Sequence, residues 1–132
     1  MKTLAKAYNK KSLSSFKAAT LLLKHDFLEE ATTLAYYAMY HKATALFKKA
    51  NITCHSHEHA IQTLGLFGIS SEPLRKAKHE RIQKQYYADH LVARNDVEKL
   101  LEQAQEFIAL IDVKQDSLTP HALQEIHERF KL

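Results

Sequence analysis

The sequence predicts an all-α fold: an antiparallel up-and-down bundle of four to five helices, with an extra helix at the C-terminal end. Three observations carry this expectation. Only two glycines and two prolines stand among 132 residues, whereas a β-sandwich or barrel needs a turn signal about every ten residues. Alanine, leucine, lysine, glutamate and glutamine dominate the composition, and these residues lose the least freedom on entering a helix. Apolar residues also recur at three- and four-residue steps along most of the chain. The length suits one domain, residues 1–132, with a single core.

The first helix is expected from about Leu4 to Lys24, with Leu13, Phe16, Thr20, Leu23 and Phe27 as its inward stripe. His25-Asp26 reads as the turn, and Asp26 as the cap of the second helix. That helix, about Phe27 to Ala50, carries Phe27, Ala31, Leu34, Ala35, Ala38, Ala45 and Leu46 on one side. Tyr36, Tyr40 and Phe47 stand on the other side. A helix that is apolar on two sides is the central, doubly covered one. Lys42 interrupts the alanine-leucine side, so it either snorkels to water or faces a ligand.

Asn51 suits the left-handed end of this helix. A third helix follows from about His57 to Phe67, with Ile61, Leu64 and Phe67 inward and Gly68 as its stop. Ser71 and Pro73 start a fourth helix reaching about Asp89, on which Leu74, Ala77, Arg81, Gln85 and Ala88 share a strip. Arg81 thus stands where a small apolar residue is expected. The fifth helix, Asp96 to Ile111, has Val97, Leu100, Leu101, Ala104, Phe107, Ile108 and Ile111 in register, and Asn95 with Glu98 at capping-box spacing. Polar residues Asp112 to Ser117 read as the link to a last helix. Thr119 would cap that helix, Pro120 would open it, and Leu118 would staple to Leu123, with Ile126 and Phe130 continuing the apolar side.

Charge and cysteine usage narrow the setting. The net charge of +4, with both signs interspersed, permits an anionic ligand without requiring one. Nine histidines would add positive charge in mild acid. Cys54 is the only cysteine, and the N-terminal stretch has no apolar run suited to a signal peptide, so a soluble cytoplasmic protein is expected. The longest aliphatic run, Leu21 to Leu23, is far too short for a membrane span. No glycine-rich phosphate loop, nucleophile elbow or paired-carboxylate motif is present, and no cofactor is assigned. The segment Cys54 to His59 alternates histidines but offers no tetrahedral ligand set, so no metal is assigned either.

The stretch FKAATLLLKHDFLEEATTLAYYAMYHKATALF resembles the opening helix pair of HEPN (higher eukaryotes and prokaryotes nucleotide-binding) proteins. Ala35 to His41 is its most specific element, similar to an AYYAMFH run in small stand-alone members. Ser56-His57 resembles a Thr-His at the start of their third helix, and Arg81 with Tyr86 an Arg-x4-Tyr. The likeness covers roughly residues 13–112, leaving 118–132 as an appended helix.

The resemblance implies a helical bundle, commonly a homodimer and often paired with a separate nucleotidyltransferase in a toxin–antitoxin-like module. It also implies a phosphate-binding site of Arg81 with Tyr37, His41, His57 and Tyr86. The family's ribonucleases carry Arg-x4-6-His. Here that window from Arg81 falls on Tyr86, Tyr87 and Ala88, while His90 lies beyond it and Arg75 to His79 is too short. RNA cleavage needs a group that moves a proton near neutral pH, which histidine does and tyrosine does not. Arginine stabilises the charge that develops but cannot act as the base. The sequence therefore points to a binding module for a nucleotide, RNA or a partner protein, with no catalytic residue assigned.

Two alternatives stay open. One is a metal-independent endoribonuclease in which His41, His79 or His90 replaces the missing histidine. The other is a structural oligomerisation protein whose C-terminal helix docks on a neighbouring subunit. Other residues have plainer readings: Arg81 paired with Glu80, Glu58 or Asp89, Tyr36 and Tyr40 as core, and the basic run Arg75 to Arg81 as a solvated helix face.

Overall fold

The computed structural model describes the backbone of residues 2–86 and 92–132 and the side chains of residues 3–83 and 92–132. It is an all-α bundle of α1 (Lys2–Lys24), α2 (Leu28–Lys49), α3 (His57–Thr63) with a 3-10 turn (Leu64–Phe67), α4 (Glu72–Tyr86), α5 (Arg94–Ser117) and α6 (Pro120–Lys131). The expected continuation of α4 through Tyr87 and Ala88 to Asp89 lies outside the described residues, as do His90 and the side chain of Gln85. Among the described residues no helix is long and apolar enough to cross a membrane.

The second helix is central, as its two apolar sides predict: it packs against α1, α4 and α5. Ala35, Tyr36, Ala38, Met39, Ala43 and Leu46 are fully buried along it. The face of α1 that meets the core is the expected stripe only in part: Phe16 and Leu23 pack against it. Leu13, Thr20 and Phe27 are exposed, and Ala5, Ser12 and Ala19 are buried instead. These three small residues recur every seven positions and let the two helices approach closely. Ser12 Oγ accordingly donates to the Ala38 carbonyl of α2 at 2.7 Å.

Three helix ends share one device. After α1, α2 and the 3-10 turn, the chain turns through a left-handed residue, respectively Asp26 (φ 63°), Asn51 (φ 58°) and Gly68 (φ 71°). In each case the next amide donates back five residues: Phe27 to Leu22, Ile52 to Phe47 and Ile69 to Leu64. Asp26 therefore terminates α1 rather than capping α2, whose N-cap residue Phe27 makes no side-chain cap bond. Its carboxylate is taken by Arg94 Nη1 at 2.6 Å, and the same nitrogen donates to the Leu23 carbonyl at 2.9 Å.

The fifth helix is longer than expected at both ends. It starts after Ala93, so Asn95 sits in the first turn rather than at the cap, and Glu98 pairs with Arg94 instead of closing a capping box. At the far end, Asp112 to Ser117 are helical, not a link. Their polar side chains have partners within the bundle: Asp112 pairs with Lys42, and Gln115 exchanges two 3.1 Å hydrogen bonds with Asn9 of α1. Lys42, whose side chain is 7% exposed, is thus held by the Asp112 carboxylate, which is itself 56% exposed.

The last helix opens as its signals predict, with Thr119 Oγ1 accepting from the Ala122 amide at 3.1 Å and Pro120 in first place. It docks on its own chain. Ile126 joins the core, His127 Nδ1 donates to the Ala50 carbonyl at 2.8 Å, and Phe130 stacks on His59.

Removing Asp112 would leave Lys42 charged and unpaired against the core. Asp112→Ala is expected to lower the unfolding free energy by about 1–3 kcal/mol in urea titrations. Lys42→Met should leave stability unchanged or raise it, because it removes the charge along with its need for a partner.

Candidate functional site

Tyr36, Tyr37, Tyr40 and His41 stand at i, i+1, i+4 and i+5 on α2. On a helix this spacing forms two adjacent columns one turn tall. The columns meet His57 at the start of α3, where Ser56 caps the helix by accepting from the His59 amide at 3.0 Å. From α4 they meet Arg81, placed inward one turn after the fully buried Ala77.

The resulting cluster is continuous. Arg81 Nη1 donates to the Tyr37 hydroxyl at 2.8 Å, and its guanidinium carbon lies 5.3 Å from the ring centroids of both Tyr36 and Tyr37. Those rings meet edge to face at 5.2 Å, the geometry their quadrupoles favour. The Tyr36 hydroxyl and His57 Nδ1 share a 2.8 Å hydrogen bond, and the Tyr40 ring lies against His57 at 4.3 Å. His41 borders Tyr37 at 5.9 Å and, from α1, Tyr8 at 6.1 Å.

The structure thus brings Arg81, Tyr37, His57 and His41 into one neighbourhood. Helix α4 is unbroken from Arg81 to Tyr86, and the Tyr86 side chain lies outside the described residues. Tyr36 and Tyr40, read as core from the sequence, belong to the neighbourhood too. Tyr36 is fully buried yet spends its hydroxyl on His57, and Tyr40 is only half-buried. The signal that could have revealed them is the pairing of columns: each tyrosine sits beside a residue already singled out.

Electrostatics keep the two histidines neutral. Burial, then Arg81 and Lys78, hold His57 below the ordinary imidazole value; burial, then Lys11, does the same for His41. Burial pushes the Tyr36 phenol well above its usual range, with Arg81 only partly opposing. Glu58, a possible partner of Arg81 on sequence grounds, is committed instead to Arg75 at 2.9 Å and Lys78 at 3.7 Å. Asp89 lies outside the described residues, and His79 is exposed on α4.

Among the described residues, two buried side-chain nitrogens lack a hydrogen-bond partner: Arg81 Nε and His41 Nδ1. With Nη1 on Tyr37, the Nε–Nη2 edge of Arg81 is the remaining parallel donor pair, the geometry that phosphate and carboxylate oxygens accept. Among the same residues, no group of three or more histidine, cysteine, aspartate or glutamate side chains could hold a metal ion.

A small helical bundle with a polar aromatic cluster on its central helix, facing an arginine from a later helix, defines the class: an all-α helical-bundle domain. Comparison with family models makes the class specific. The model described as the HEPN domain matches residues 5–115, and the chain belongs to that family. A search of curated proteins finds no match to the chain.

The histidines give the cluster a pH dependence. Their folded-state pKa values lie below 6.5, the value for an unperturbed imidazole, so the unfolded chain takes up protons first as the pH falls. Stability is therefore expected to decrease as the pH drops through 6.5 toward 5. The double variant His41→Gln/His57→Gln should show a flatter profile across that window in thermal or urea unfolding. An unaltered slope would mean that folding does not lower the pKa of either histidine.

Proposed function

We propose that this HEPN domain is a non-catalytic binding module for a phosphate-bearing ligand, a nucleotide or RNA, held on Arg81 with Tyr37, His41 and His57 around it. The observation that carries the reading is the Arg81 guanidinium. It is laid over two tyrosines and tied by one nitrogen to Tyr37, while its Nε is buried and unpartnered. A buried donor without an acceptor costs about 1–3 kcal/mol, which an oxyanion reaching that edge would recover. The neighbouring rings suit a base, since every base has a face that stacks on an aromatic side chain. Neutral histidines add hydrogen-bonding atoms without further charge.

Family membership supports the wider setting. The chain resembles small stand-alone HEPN proteins, which supports a cytoplasmic homodimer acting beside a separate nucleotidyltransferase in a toxin–antitoxin-like pair. In a homodimer, a residue such as Tyr86 would approach Arg81 from the second copy.

One observation keeps catalysis in view: His57 adjoins the Arg81 cluster and offers a neutral imidazole there, whereas exposed His79 does not. A metal-independent ribonuclease would use His57 as its base.

Labelled single-stranded RNA incubated in EDTA separates the readings. The binding module is expected to retain RNA or adenosine monophosphate without cleaving it. Arg81→Ala should weaken that binding about tenfold or more, the loss of a charge-assisted pair of hydrogen bonds. Cleavage that both Arg81→Ala and His57→Ala abolish would establish the ribonuclease instead. Undiminished binding by Arg81→Ala would remove the arginine from the site.

A further inference from the structure

A cavity of about 240 Å³ lies between α1, α2 and the loop that follows α2. Its polar wall is made by Tyr8 and Lys11 of α1, Tyr40, His41 and Lys48 of α2, and Thr53 of the loop, and no carboxylate lines it. The existing bonds of these groups decide what they can still offer. Lys48 Nζ donates to Thr53 Oγ1 at 2.8 Å, which leaves two ammonium protons and the Thr53 hydroxyl proton for another partner. Lys11 Nζ lies 5.5 Å from the Tyr8 ring centroid. None of the ion pairs among the described residues involves either lysine.

The other groups also lean toward donation. Burial, then Cys54 and Tyr8, keep the Tyr40 phenol protonated by raising its pKa. His41 adds a buried ring nitrogen with no partner. A concave wall with two ammonium groups, several hydroxyl donors and no negative charge concentrates anions. The volume limits what can enter: a tetrahedral oxyanion or a small ester of one fits, a polymer does not.

We propose that this cavity is a binding site for a phosphate-class dianion, inorganic phosphate or a small phosphomonoester, held by Lys11 and Lys48 with the hydroxyls of Thr53 and Tyr40. The lysines hold the charge and the hydroxyls orient the oxygens. The site shares no cation with the Arg81 cluster and does not rest on how that cluster is read.

The test is calorimetric titration of inorganic phosphate into the full-length chain, in chloride buffer at about pH 7.5, where the phosphate class is largely dianionic. Arg81→Ala removes the other proposed anion site, so the variants are compared in that background, where saturable phosphate binding is expected to remain. Lys11→Gln/Lys48→Gln should bind about tenfold or more weakly, through loss of two charge-assisted contacts. Both lysines are outside the buried core, so the double variant should fold, with its circular dichroism spectrum as the check. Unchanged affinity in the double variant overturns the proposal. So does the absence of saturable binding to Arg81→Ala at roughly 10 mM phosphate. Phenyl phosphate then distinguishes the sources: competition with inorganic phosphate supports an ester-accepting site, and its failure supports a site for the free ion.

Discussion

The structure depends on one constraint: α2 packs against α1, α4 and α5, so the polar groups it buries need partners inside the bundle. The close α1–α2 approach, made possible by Ala5, Ser12 and Ala19, is secured by the bond from Ser12 to the Ala38 carbonyl. Thr32 turns its hydroxyl back onto the Leu28 carbonyl, Lys42 takes Asp112 from α5, and Tyr36 takes His57 from α3. Each of these bonds is made between elements or within α2 itself, and together they fix the register of the helices around it.

The candidate site is the same constraint at the edge of the core. Where α2 meets α3 and α4, its tyrosines carry hydroxyls that cannot be buried unbonded. Tyr36 is buried with its hydroxyl on His57, while Tyr37 stays half-buried and accepts from Arg81. An arginine beside an aspartate would be neutralised; one laid over tyrosine rings keeps its charge and its directional donors. Glu58, one of the carboxylates the sequence offers Arg81, is drawn away by Arg75 and Lys78. The outcome is a cationic fork on an aromatic bed with uncharged imidazoles around it, an arrangement suited to retaining an anion.

Much of this was legible in the residues. Asn51 and Gly68 end their helices in the conformation their side chains tolerate, and Thr119-Pro120 opens α6 as capping chemistry dictates. Arg81 on the strip of Leu74 and Ala77 announced itself by breaking a pattern. The face of α1 was legible in Phe16 and Leu23 but not in Ala5, Ser12 and Ala19, because alanine and serine carry little hydrophobic signal. The length of α5 was hidden for a related reason: Asp112 and Gln115 look like a polar link until Lys42 and Asn9 are known to lie opposite. Asp26 was misread because aspartate serves both as a helix cap and as a left-handed residue, and the choice was made by Arg94, 68 residues away. Tyr36 looked like core and is core; only its hydroxyl belongs to the site.

The central claim is that the Nε edge of Arg81 is the place where an anion binds. The most direct measurement is the ¹⁵Nε–Hε resonance of Arg81, assigned by its loss in Arg81→Lys and followed by NMR as adenosine monophosphate is added. The account predicts a saturable shift of that resonance to lower field as the orphaned donor gains an oxygen. A resonance that stays fixed while the protein binds the nucleotide elsewhere would contradict it.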